Sequence, residues 1–180
     1  MKRFIITGAP GAGKTAIIRQ LELEGFGVVE EAATDLIALA RARGIAEPWT
    51  NPSFIAEVAD LQSRRLAHAS HQPDEIQFHD RSVFCTSALA VYLGYPVPET
   101  LSREMDRLRT QAVYQKRVLF IKNLGFVTPT EARRISFEES LRFESIHEDI
   151  YRSSGFEIVA IESGSLPDRV AAIKTLIERA

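Results

Sequence analysis

The octapeptide Gly8-Ala9-Pro10-Gly11-Ala12-Gly13-Lys14-Thr15 constrains this chain more than any other stretch. It satisfies GxxxxGK[ST] in full. A short apolar run, Phe4-Ile5-Ile6, precedes it, and a helical pattern opens at Lys14, sets Ile17, Ile18 and Leu21 on one face and stops at Gly25. Glycines let the backbone wrap so closely that successive N–H groups point at phosphate oxygens, with the positive end of the helix behind them. The whole loop, Gly8 to Thr15, is therefore expected to hold a nucleoside triphosphate, with Lys14 on the β and γ phosphates and the Thr15 hydroxyl on Mg²⁺. A dinucleotide-binding turn fits worse, because Gly8, Gly11 and Gly13 lack the GxGxxG spacing. The motif does not separate ATP from GTP.

At 180 residues and 45% hydrophobic the chain is expected to form a single domain, 1–180, around one core. A net charge of -2 leaves no global basic field for nucleic-acid phosphates, so such a partner is disfavoured. Cys85 is the only cysteine, which excludes an internal disulfide and a thiolate zinc cluster. No apolar stretch is long enough to span a bilayer, and a cytoplasmic location is expected. Oligomeric state leaves no signal in the sequence.

Along the chain, apolar runs and amphipathic stretches alternate. Strands are expected over Phe26–Val29, Ile76–His79, Val118–Ile121 and Phe156–Ile161. Between them come a helix with Leu36, Ile37 and Ala40 inward, a long helix capped by Asn51-Pro52 and running to about His71, and a helix from Val83 to Leu93. A further helix carries the stripe Leu101, Met105, Leu108 and Ala112. The capping box Ser136 to Glu139 opens a helix that buries Phe143, Ile146 and Ile150, and Ser165 opens the last, with Val170, Ile173 and Ile177 inward. This alternation predicts a doubly wound parallel sheet with right-handed crossovers, whose ligands sit beyond the carboxyl ends of the strands.

Three motifs fall on that edge: the glycine loop, Glu30-Glu31 and Asp80-Arg81. Asp80 is placed to bind the Mg²⁺ hydration shell or an acceptor hydroxyl, and otherwise serves as a helix cap. Arg81 can grip phosphate oxygens bidentately or pair with a nearby acid. Glu31 or Glu30 can accept a proton from an attacking hydroxyl; the plain alternative is two solvated acids complementing a helix N-terminus. Arg133 and Arg134 can swing cations onto the phosphates as part of a lid, or form a solvated face. Trp49, Phe54, Phe84 and Tyr92 are candidates for an aromatic acceptor pocket, with core packing as the alternative. His68 and His71, three apart on a helix, lack a third ligand and read as surface residues. His79 reads as a strand residue and His147 as a helix-face residue.

With these residues in hand, the chain resembles the P-loop "predicted ATPase" family, relatives of nucleoside and nucleotide kinases that include ribosylnicotinamide kinase domains. The resemblance rests on Ile6 to Thr15, Gly27 to Ile37, Gln62, Asp80 to Ser82, the Arg133-Arg134 segment and His147 to Ile161. It implies a three-layer α/β P-loop NTPase fold: a five-stranded parallel sheet in the order 2-3-1-4-5, helices on both faces and a small helical lid. It also implies Mg-ATP as donor, Glu31 as base, Asp80 and Arg81 on acceptor and phosphates, and Gln62 reading a base.

The leading expectation is a kinase that moves the γ-phosphate of ATP to a hydroxyl of a small, nucleoside-like acceptor. Lys14, Glu31, Asp80, Arg81 and Arg134 would be catalytic, and Arg133 would join the loop in holding nucleotide. Glu31, Gln62 and Arg81 would bind the acceptor. The rival is an NTPase or nucleotide-dependent switch acting on a protein partner.

Overall fold

The first strand, β1 (Lys2–Thr7), buries both of its faces: Phe4 and Ile6 join one core and Ile5 the other. An apolar run without alternation does this only at the centre of a parallel sheet covered on both sides. The computed structural model describes residues 1–8, 10–123 and 136–178. Ala9, Arg133, Arg134 and the expected lid segment lie outside the described residues.

The other strands are β2 (Gly27–Val29), β3 (Ile76–Asp80), β4 (Arg117–Ile121) and β5 (Glu157–Ile161). All pair in parallel, in the order β2-β3-β1-β4-β5, which is the five-stranded topology implied by the resemblance. The helices are α1 (Lys14–Leu23), α2 (Ala32–Ala42), α3 (Ser53–Ala69), α4 (Val83–Leu93), α5 (Glu99–Thr110), α6 (Phe137–Ser153) and α7 (Leu166–Glu178). Ile17, Ile18 and Leu21 of α1 and Val170, Ile173 and Ile177 of α7 cover Phe4, Ile6 and Phe78 on one face. Helices α3 to α6 cover Ile5 and Val118 on the other. Each Ile or Phe so buried contributes about 1.5–3 kcal/mol against conformational entropy. No helix among the described residues is long and apolar enough to cross a membrane.

Several local expectations shift. Asn51 is not the cap of α3: the helix begins at Ser53, so Pro52 holds the cap position instead of the first helical one, and Asn51 Oδ1 accepts from the Ser53 amide at 3.0 Å from one residue further out. Ala112 is not on the α5 stripe: α5 ends at Thr110, and Ala112 is exposed with φ 47. Leu36, Ile37 and Ala40 are only half-buried. The capping box is present, with Ser136 accepting from the Glu139 amide at 3.1 Å. The face that α6 buries is rotated from the expected one. Ser140, Phe143, Glu144, His147 and Tyr151 are inside, and Ile146 and Ile150 are partly exposed.

Candidate active site

The site is built at the carboxyl edge of the sheet, where neighbouring strand ends are set level by register. Ile6 stands opposite Asp80, and the Arg81 amide donates to the Ile6 carbonyl at 3.0 Å. Asp80 and Arg81 thus stand beside the start of the glycine loop. Gly8, Gly11 and Gly13 all have positive φ (137, 83 and 84), a region that side chains disfavour. A Cβ at Gly8 would overlap the Ile121 carbonyl oxygen, so the loop leaves β1 pressed against the end of β4.

Gly13 caps α1 in a left-handed conformation, and no side chain caps its first turn. The Lys14 side chain is buried and donates to the Gly8 carbonyl at 3.0 Å, curling the ammonium back over the loop. Thr15, in the same first turn, is exposed. Amides without a side-chain cap, a buried cation and an adjacent carboxylate at Asp80 form a donor set that fits a triphosphate and a divalent cation.

Arg81 is the least ordinary residue here. It has φ 70 without being glycine, a conformation costing on the order of 1–3 kcal/mol, and such strain persists only where the surroundings over-determine it. Its side chain is held from two other elements. Nε donates to Glu31 Oε1 at 2.6 Å, and NH1 lies 3.1 Å from Nε2 of His147 on α6. Burial works against the Arg81 charge, but Glu31, Cys85 and Asp80 raise its pKa above the ordinary guanidinium value.

Glu31 is the residue before α2, and its Oε2 accepts from the Thr34 hydroxyl at 2.7 Å. Arg65 of α3 braces this turn, donating to the Glu30 and Glu31 carbonyls at 3.0 and 2.8 Å. The two acids part company there. Glu31 faces Arg81, whereas Glu30 pairs with Arg19 at the surface.

Beyond Arg81 and Glu31 lies a cavity of about 840 Å³. Pro10, Glu31 and Arg81 line its loop-side end, and Phe54, Leu89, Trp49 and Tyr92 line its apolar body. Gln62 and Thr86 supply a polar edge, the Thr86 hydroxyl donating to Gln62 Oε1 at 2.6 Å. Of the four aromatics expected around an acceptor, Trp49, Phe54 and Tyr92 line this cavity. Phe84 does not: it packs in the core against Tyr151 and Phe156, with ring centroids 5.9 and 4.9 Å away.

Sequence reasoning missed three positions. Arg169, buried in the first turn of α7, donates to the carbonyls of Ala12 at 2.8 Å and Lys122 at 3.0 Å, tying the glycine loop to the end of β4. A cation at a helix N-terminus opposes the helix dipole and was the available signal. His147 lies on a helix, α6, as expected, and the face it occupies is fully buried. The polar stripe Ser140, Glu144, His147 hides that face from any search for apolar periodicity. Tyr151 is also fully buried, its hydroxyl 2.9 Å from Ser82 Oγ and 3.0 Å from Cys85 Sγ, and burial pushes its pKa up. His68 and His71 are exposed, and among the described residues no group of three or more His, Cys, Asp or Glu suited to a metal occurs.

Comparison with known proteins agrees with this fold. Solved structures of similar fold include deoxyadenosine kinase from M. mycoides with dCMP and dCDP bound, 14% identical, TM-score 0.63, covering 99% of this chain and 100% of that one. NadR protein in complex with NAD and AMP-PNP is 19% identical, TM-score 0.69, with 98% of this chain aligned. NadR in complex with NR is 18% identical, also at TM-score 0.69. The chain spans 49% of the NadR polypeptide. A sequence search of curated proteins gives no match. Residues 3–169 match the family described as AAA domain. With its glycine loop, sheet order and P-loop kinase-like fold, the chain belongs to this AAA-domain family of P-loop proteins.

Proposed function

We propose that the protein is a P-loop kinase that transfers the γ-phosphoryl group of ATP to a hydroxyl of a small, nucleoside-like acceptor in the cytoplasm, with 1–180 acting as one domain. The observation that carries this reading is the cavity of about 840 Å³ whose loop-side end is lined by Glu31 and Arg81. A switch that only hydrolyses nucleotide needs no such chamber; a kinase needs one for its second substrate.

Bound Mg-ATP supplies the transferable phosphoryl group and the metal's positive charge. The chain's own groups do the rest. The glycine loop, Ala9 included, would cradle the phosphates, while Lys14 offsets charge on the β and γ oxygens. Thr15 and Asp80 would hold the metal. Glu31 would accept the acceptor's hydroxyl proton as its oxygen bonds to phosphorus and the bond to the ADP oxygen breaks. Arg81 would stabilise the equatorial oxygens, and Gln62 would orient the acceptor from the polar edge. Arg133 and Arg134 would add charge from a lid.

The test is release of ADP or GDP by purified protein with Mg-ATP or Mg-GTP, alone and against a panel of nucleosides and small alcohols, with Lys14→Ala as control. An acceptor that raises release well above the water background, and whose phosphorylated form is found by mass spectrometry, supports the kinase. A flat panel with nucleotide still bound overturns it in favour of a switch with a protein partner.

A further inference from the structure

His147 is completely withdrawn from solvent on the side of α6 that packs against α4, yet it carries two polar ring nitrogens. Both are engaged. Nδ1 lies 2.8 Å from the Phe143 carbonyl oxygen, a group that only accepts, so Nδ1 carries the hydrogen. Nε2 therefore presents a lone pair, and 3.1 Å away stands NH1 of Arg81, a group that only donates. The two partners select one tautomer of the neutral ring.

The two cations around the ring favour the same state. Arg81 faces it from the turn after β3, Lys14 from α1 and Glu31 from the start of α2. Burial and the Arg81 cation are the main reasons its pKa is pushed down to about 3, with Lys14 adding to them and Glu31 opposing. An imidazolium would set a donor against a donor.

We propose that His147 is a positioning residue, whose neutral Nε2 accepts from Arg81 and, with Glu31 on Nε, fixes the direction in which the guanidinium addresses the phosphoryl group. This rests on the kinase reading for what Arg81 does, while the contact itself stands on the geometry. A guanidinium has five N–H donors, and these two bonds use one on Nε and one on NH1, holding the group from two directions and leaving the others for a ligand in the cavity that Arg81 lines. The same two anchors account for how a non-glycine residue is kept at φ 70. Behind the contact, the His147 ring meets Phe143 edge-on at 4.3 Å, and Phe143 packs on Tyr92 at 4.7 Å. The support therefore runs into the wall of the acceptor cavity.

Two variants separate positioning from packing. His147→Phe keeps the ring and its contact with Phe143 but removes both nitrogens. His147→Gln restores an acceptor oxygen close to the place of Nε2. We expect His147→Phe to lower kcat by about 10- to 100-fold with KM for ATP within about two-fold, and His147→Gln to recover most of the loss. Unchanged kcat in His147→Phe, or equal loss in both variants, would overturn the proposal.

A second measurement does not depend on turnover. In wild-type protein labelled with ¹⁵N-histidine, the signal absent from the His147→Gln spectrum should be that of a neutral Nδ1–H tautomer at pH 7. An Nε2–H tautomer or an imidazolium there would overturn the contact. If the wild type shows no acceptor-dependent transfer, the kinase reading fails by itself, and this spectrum still decides whether His147 accepts from Arg81.

Discussion

Nε of Arg81 lies 2.6 Å from Oε1 of Glu31, across 50 residues of chain. Their side chains are 9% and 14% exposed, so this is a largely dry ion pair at the mouth of the cavity, not a screened surface bridge. Glu30, one residue earlier, is half exposed and bound to Arg19. The geometry therefore separates two acids that are equivalent in the sequence.

Glu31→Gln should lower kcat by about 100-fold or more with KM for ATP nearly unchanged, since removing a general base costs on the order of 10²–10⁴. Glu30→Gln should stay within about two-fold of wild type. Steady-state kinetics on both variants makes the comparison; equal losses would show that neither acid is the base.

Thr86 directs Gln62. Because the Thr86 hydroxyl donates to Gln62 Oε1 at 2.6 Å, the amide nitrogen of Gln62 is left to donate to an acceptor molecule. Thr86→Val keeps the volume and removes the hydroxyl, a hydrogen bond worth about 0.5–1.5 kcal/mol. KM for the acceptor should rise about 2- to 10-fold and KM for ATP should not move. A matching rise in both would mean that Thr86 supports the fold rather than the acceptor edge.

Gly8→Ala should destabilise the protein by more than about 2 kcal/mol, because the added Cβ meets the Ile121 carbonyl and φ 137 is closed to alanine. Urea unfolding followed by far-ultraviolet circular dichroism measures the loss. A shift of only a few tenths would show that the loop relaxes away from β4.

Stability should fall on acidification. The His147 pKa is about 3 in the folded protein, against an ordinary value of 6.5. Between those values the unfolded chain binds a proton that the native state refuses. The contribution is complete above about pH 6.5 and shrinks as pH falls toward 3, by up to about 1.4 kcal/mol per pH unit. His147→Phe should show a correspondingly shallower slope than wild type in urea titrations from pH 7 to 5. Parallel slopes would mean that other groups carry the acid sensitivity.

By itself the sequence determined the glycine loop, the alternation of strands and helices, the capping box at Ser136 and the edge on which Glu31, Asp80 and Arg81 gather. These are set by short-range rules: backbone freedom at Gly8, Gly11 and Gly13, apolar period along α1 and α7, and the fact that parallel strands all present their carboxyl ends to one side. The different partners of Glu31 and Glu30, the burial of His147, the anchoring of the loop by Arg169 and the cavity between Arg81 and Trp49 were decided only in the tertiary structure. Arg169 reaches Ala12 across 157 residues and Arg81 reaches His147 across 66. Partners so distant meet only after the crossovers have stacked their helices on the sheet. A polar side chain that such a partner satisfies looks, in sequence, like one that water satisfies.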